Sequence, residues 1–181
     1  MPKVSYNANQ GLIQQSGTGF DLNGSKNSNI LVRSATTAHD LSSQSEDITV
    51  VYTGTMDGVV TLPNATAANA GMVIKLLHAV DSSNTERKVG VKNQSPQTTI
   101  SGTITLVSTD ATAQHDSEAL LNNAECILRD ANAVNRAGGG QGTSYTFTYL
   151  GLQKIHCKAI GVVNGSQTPN LAAGASSATG I

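Results

Sequence analysis

Residues 48–77 read ITVVYTGTMDGVVTLPNATAANAGMVIKLL, and their patterning sets the fold class. Ile48-Thr49-Val50-Val51-Tyr52-Thr53 is rich in β-branched residues and alternates in polarity, the pattern of a half-buried strand. Residues 54–58 turn the chain, with Asp57-Gly58 as the tight turn. Val59-Val60-Thr61-Leu62 forms the next strand, and Pro63 stops it because proline has no N–H to give to a ladder. Residues 64–71 are Ala-rich and predict one helical turn, capped by Asn64 and terminated by Gly71. Residues 72–77 then resume as a strand buried on both faces except at Lys75.

Working outward in both directions, further strands are expected at residues 30–32, 88–91, 98–100, 103–107, 124–129 and 155–160. In the last of these, Ile155, Cys157 and Ala159 share one face and His156, Lys158 and Ile160 the other. Tyr145, Phe147 and Tyr149 lie at alternate positions of one more strand, so a chain with only four Tyr, two Phe and no Trp spends half its aromatics on one strand face. Residues 34–47, 81–87 and 94–97 read as loops, 138–142 as a flexible glycine loop, and 114–123 as a weakly helical segment. The expected fold is therefore all-β, a compact β-sandwich or barrel-like domain over residues 30–163. Residues 1–29 are polar apart from the islands Leu12-Ile13 and Phe20-Asp21-Leu22, too little to fold alone, and form an extended N-terminal arm. Residues 164–181 form a C-terminal tail of small residues, and both ends are expected to lie against a neighbouring chain.

Composition removes several function classes. Lys+Arg total 11 against 12 Asp+Glu, with no basic block, so no electrostatic drive toward nucleic acid or an anionic membrane is expected. The longest apolar stretch, residues 72–77, is interrupted by Lys75, whereas a spanning helix needs roughly 20 mostly apolar residues. Met1-Pro-Lys3 leads directly into polar sequence without an apolar core, which predicts synthesis and folding in a reducing cytoplasm without a signal peptide. Cys126 and Cys157 form no C-x-x-C pair and are expected as buried thiols.

Candidate chemistry is sparse. His39-Asp40 and His115-Asp116 sit in expected loops, where solvated histidines are the ordinary outcome, and no G-x-S-x-G elbow supplies a nucleophile for them. His78 and His156 flank strands without the H-x-x-x-H or H-x-H spacing of a metal site. Residues 138–142 are not followed by Lys-Ser/Thr and a helix, as a phosphate loop requires. Glu46-Asp47 and Asp81 are oxygen donors for a hard cation but sit in no calcium-loop pattern. Asn64-Ala65-Thr66 and Asn164-Gly165-Ser166 match the glycosylation sequon, which has no use without export. No catalytic, cofactor-binding or metal residue is expected, and the chain reads as a non-enzyme.

Residues 58–75, GVVTLPNATAANAGMVIK, resemble a module of bacteriophage virion proteins in which a strand ending TVTLP runs into an Ala/Asn/Gly turn and a second strand begins after the glycine. The resemblance continues through Val89-Gly90-Val91, Thr99-Ile100-Ser101-Gly102 and Ala124-Glu125-Cys126-Ile127-Leu128, and closes at residues 154–161. It covers residues 48–163, with 131–148 as an insertion, and departs from the family in lacking the Trp of the closing strand, so packing around Ile155 must differ. The family includes tail fibres, head fibres and capsid decoration proteins, and it brings no active-site residues. It implies a homotrimeric decoration, or cement, protein on the outer surface of the phage head, with the major capsid protein as partner and no cofactor; in such a protein the apolar islands of the arm, Leu12, Ile13, Phe20 and Leu22, are the expected capsid-binding residues. The alternative within the same family is a short tail-fibre or head-fibre subunit acting in host attachment.

Overall fold

The strands sort into sheets in the computed structural model, which describes residues 3–7, 11–16, 29–34, 38–54, 59–81, 87–91, 98–109, 116–123, 125–128 and 139–163. A separate hairpin pairs β1 (Lys3–Asn7) with β2 (Gly11–Ser16). The domain strands are β3 (Ile30–Arg33), β4 (His39–Asp40), β5 (Ile48–Tyr52), β6 (Val60–Leu62), β7 (Val73–His78), β8 (Arg87–Val91), β9 (Thr99–Ser108), β10 (Asp116–Asn123), β11 (Glu125–Leu128), β12 (Ser144–Gly151) and β13 (Lys154–Val163). The larger sheet has seven strands in the order β10-β9-β13-β12-β7-β5-β3, and the smaller has four in the order β11-β8-β6-β4. The fold is all-β, a two-sheet sandwich.

Its winding follows from strand direction. β3, β5 and β7 run parallel in the larger sheet, while the intervening β4, β6 and β8 run parallel in the smaller one. Parallel neighbours need a long crossover, and here the crossover is a strand of the opposite sheet. The chain thus crosses the sandwich at every step from β3 to β9. Residues 55–58, with the expected Asp57-Gly58 turn, lie outside the described residues, but β5 and β6 belong to different sheets, so their connection is no hairpin. The hairpin of β12 and β13 then fills the gap between β7 and β9, antiparallel to β7 on one side and parallel to β9 on the other.

The core lies between the sheets. Leu62, Val89 and Val91 face it from the smaller sheet, and Val50, Ile74, Leu76, Ile104, Leu106, Tyr145, Phe147 and Ile155 from the larger. Complete burial of each such side chain contributes about 1.5–3 kcal/mol before ordering costs. The alternation in β12 is expressed as the sequence predicts, with Tyr145, Phe147 and Tyr149 all buried. Tyr145 and Phe147 stack with ring centroids 6.1 Å apart, and the Tyr149 hydroxyl crosses the sandwich to donate to the Pro63 carbonyl at 3.1 Å. Cys157 is buried as a free thiol, whereas the side chain of Cys126, on β11, is outside the described set.

Four local expectations are corrected. The turn after Pro63 is a single 3₁₀ turn over Ala67–Asn69, and Thr66, not Asn64, precedes it as cap. The Asn69 side chain organises it, accepting from the Thr66 N–H and donating to the Asn64 carbonyl, both at 2.8 Å. β7 is buried on one face only, since Lys75 and Leu77 both point outward from the sandwich. The segments 98–100 and 103–107 merge into the single strand β9, because Gly102 continues the ladder where it resembles a break. Residues 116–123 form β10 rather than a helix, drawn into strand geometry by pairing with the alternating Thr/Ile edge of β9.

Two places in the backbone, Gly102 and the β12–β13 turn, are tightly constrained. A Cβ at Gly102 would lie 1.8 Å from the Cys157 carbonyl oxygen, and φ there is 146°, so only glycine lets β9 and β13 approach. The β12–β13 connection is a two-residue turn in which Leu152 and Gln153 both have positive φ, 48° and 61°, a geometry that favours Asn-Gly. Gly102→Ala is expected to lower unfolding free energy by about 3 kcal/mol in urea denaturation. Leu152→Asn with Gln153→Gly is expected to raise it by about 1 kcal/mol, read as a higher thermal midpoint.

Candidate functional site

Strand register arranges the outward face of the larger sheet into rows. Val32 on β3 pairs with Val51 on β5, Val51 with Leu77 on β7, Leu77 with Ser144 on β12, and Ser144 with Ile160 on β13. Neighbouring strands are about 4.8 Å apart, so this row runs roughly 19 Å across the sheet. It is apolar apart from Ser144 and open to solvent, with Val32 59%, Leu77 37% and Ile160 45% exposed. The row beside it reads Ile30, Thr49, Lys75, Thr146, Lys158 and Thr103, with both lysines exposed. The arrangement suits an apolar contact bordered by charge. The sequence marks Lys75 as outward and puts Lys158 and Ile160 on one face of their strand, but carries no register to join them to Val32 and Leu77.

The inward face holds a buried polar cluster at one end of the sandwich. Tyr52 on β5 is in register with His78 on β7, their rings 5.4 Å apart, and its hydroxyl shares a 3.0 Å hydrogen bond with Nδ1 of His39 on β4. His39 is thereby corrected from a solvated loop residue to a buried one. Its short strand pairs with β6 and carries the imidazole inward. Burial, then the positive charge of Arg33, depress the His39 pKa, while Asp40 opposes them. Burial also pushes Tyr52 up, so its phenol stays protonated. Nε2 of His78 is buried without a hydrogen-bond partner, and burial pushes its pKa down from 6.5 to about 4.

The glycine segment and the carboxylates of Glu46, Asp47 and Asp81 serve the scaffold. Gly139 to Thr143 do not form a free loop but a clasp. Gly140 N–H donates to the Val162 carbonyl at 2.8 Å and Gly142 N–H to the His78 carbonyl at 2.8 Å. Gln141 N–H donates to Asp81 Oδ1 at 2.7 Å, which uses one of the expected cation ligands as a backbone acceptor. Asp47 Oδ1 likewise accepts from Val73 N–H at 2.8 Å, and Glu46 Oε2 accepts from Asn29 Nδ2 at 3.3 Å. Among the described residues no group of three metal-capable side chains converges. His156 is exposed on β13, and His115 lies outside the described residues. A cleft of about 290 Å³ near the 3₁₀ turn is lined by Ser42, Ser43, Gln44, Thr66 and Asn69 among others, none of them titratable.

Of the expected capsid-binding residues, Leu12 and Ile13 fall on β2, opposite Tyr6 and Ser5 of β1. Phe20 and Leu22 lie outside the described residues.

The buried histidine gives the fold an acid-sensitive term. Between about pH 6.5 and pH 4 the unfolded chain takes up a proton at His78 that the folded chain does not, so stability falls as pH drops through this window. Unfolding free energy at pH 5 is expected to lie about 2 kcal/mol below that at pH 7 from this residue, and His78→Phe should remove that difference in paired urea titrations. Compared with known families, curated proteins and solved structures, the chain matches no family model, no curated protein and no solved structure.

Proposed function

We propose that this chain is a decoration protein of a bacteriophage capsid, a non-enzymatic, homotrimeric component that binds the major capsid protein on the outer surface of the head and stabilises the shell. The reading starts from the resemblance of residues 58–75 to the virion module. The observation that carries it is the exposed apolar row from Val32 to Ile160, a surface for binding on a domain whose buried polar groups hold the two sheets together. In this reading Leu12, Ile13, Phe20 and Leu22 supply apolar contacts to the shell from the N-terminal region, and repetition around a trimer multiplies them as avidity. The protein is made in the host cytoplasm and resides on the virion, with no cofactor, nucleic acid or membrane taking part.

Quantitative mass spectrometry of purified virions tests this directly. A copy number of the same order as the major capsid protein is expected. A handful of copies would place the chain at a tail or vertex as a fibre subunit, and its absence from virions would end both readings. Deleting residues 2–24 is expected to abolish attachment to heads while circular dichroism of the β domain is retained, and unchanged attachment would remove the N-terminal residues from the contact.

A further inference from the structure

The β3 edge of the larger sheet is self-complementary. β3 is held to β5 through alternate residues, with Thr49 N–H donating to the Asn29 carbonyl and Thr53 N–H to the Arg33 carbonyl, each at 2.8 Å. Alternation in the ladder places Leu31 on the same side, so Ile30 and Val32 present their N–H and C=O groups to the open edge. No described strand pairs there. Edges of this kind are normally blunted by proline, lysine, a bulge or shortness. At the far side of the same sheet β10 has a register break between Leu120 and Asn123, and in the smaller sheet β4 has only two residues. β3 is four residues long but has no proline, lysine or bulge, and its two edge-facing residues carry apolar side chains more than half exposed.

We propose that β3 pairs antiparallel with β3 of a second copy of this chain about a two-fold axis at Leu31. In this register Ile30 of each copy lies opposite Val32 of the other, so the main-chain groups that face the open edge satisfy one another. Both residues are β-branched and share the outward face, where such cross-strand pairs are favourable. The same register sets Arg33 of one copy opposite Asn29 of the other. The Asn29 amide donates to Glu46 Oε2 at 3.3 Å and to the Asp47 carbonyl at 3.1 Å, so an exposed arginine meets an exposed acidic corner twice, once on each side of the axis. Across the joint the apolar row of each copy ends against Ile30 of the other, so Ile30 and Val32 of both copies form one apolar patch at the axis. The pairing stands apart from the capsid reading, since it concerns the chain in solution. On a shell it would join neighbouring trimers through a surface that a three-fold contact leaves free.

Sedimentation velocity of the full chain across a dilution series tests the proposal. Val32→Pro removes an edge-facing N–H without touching the β3–β5 ladder and is expected to stay folded by circular dichroism while its mass falls at least twofold from that of the wild type. Arg33→Glu and Glu46→Arg are each expected to weaken association roughly tenfold, and the double variant to recover it. If wild type and Val32→Pro sediment alike, the edge belongs to flanking residues of the same chain or to a different protein, and the proposal is overturned. Loss of mass in Val32→Pro without recovery in the charge-exchanged double variant overturns the register. Neither result bears on virion copy number, so the two readings fail separately.

Discussion

Parallel strands cannot be joined by a tight turn, and the architecture answers to that constraint. Because β3, β5 and β7 run the same way, each connection between them must leave the sheet, and the chain uses the return path to build β4, β6 and β8 opposite. One winding therefore makes both walls of the sandwich and the space between them. β12 and β13 complete the larger sheet where the winding leaves it open, and β12 brings the aromatic side chains that fill the centre. Gly102 matters for the same reason, since it sits where β9 meets β13 and the sheet is sealed.

Strand content was legible in the residues because burial on one face leaves an alternating trace. Residues 48–52, 145–149 and 155–160 carry it plainly, and Ile155, Cys157 and Ala159, which the alternation groups on one face, are the buried set. What failed were places where a local cue and a long-range pairing disagree. Gly102 looks like a break because glycine usually interrupts strands, yet here close approach to Cys157 demands it. Residues 116–123 show no clean period of their own, so pairing with β9 decides their conformation. Sheet membership is not written in any single segment. For that reason neither the outward row nor the β3 edge was visible before register was known.

The inter-sheet cluster had no sequence signature either. His39 sits in a polar stretch, and nothing local says that its two-residue strand turns the imidazole inward to Tyr52. Once there, it joins the sheets by a hydrogen bond, much as the Tyr149 hydroxyl does at Pro63. Such bonds specify which faces meet, because a misplaced sheet would bury these groups without partners. His78 is the exception, with Nε2 left without a partner beside Tyr52.

The direction of the strands also has a mechanical meaning. β13 is antiparallel to β12, which is antiparallel to β7, so β3, β5, β7 and β13 all point the same way. The chain enters β3 at one end of the larger sheet and leaves β13 at the other. A load drawn between these two points acts along the strands, across ladders whose hydrogen bonds lie transverse to it, and must shear many of them together rather than peel them singly. The sandwich thus resists best a load applied between the start of β3 and the end of β13.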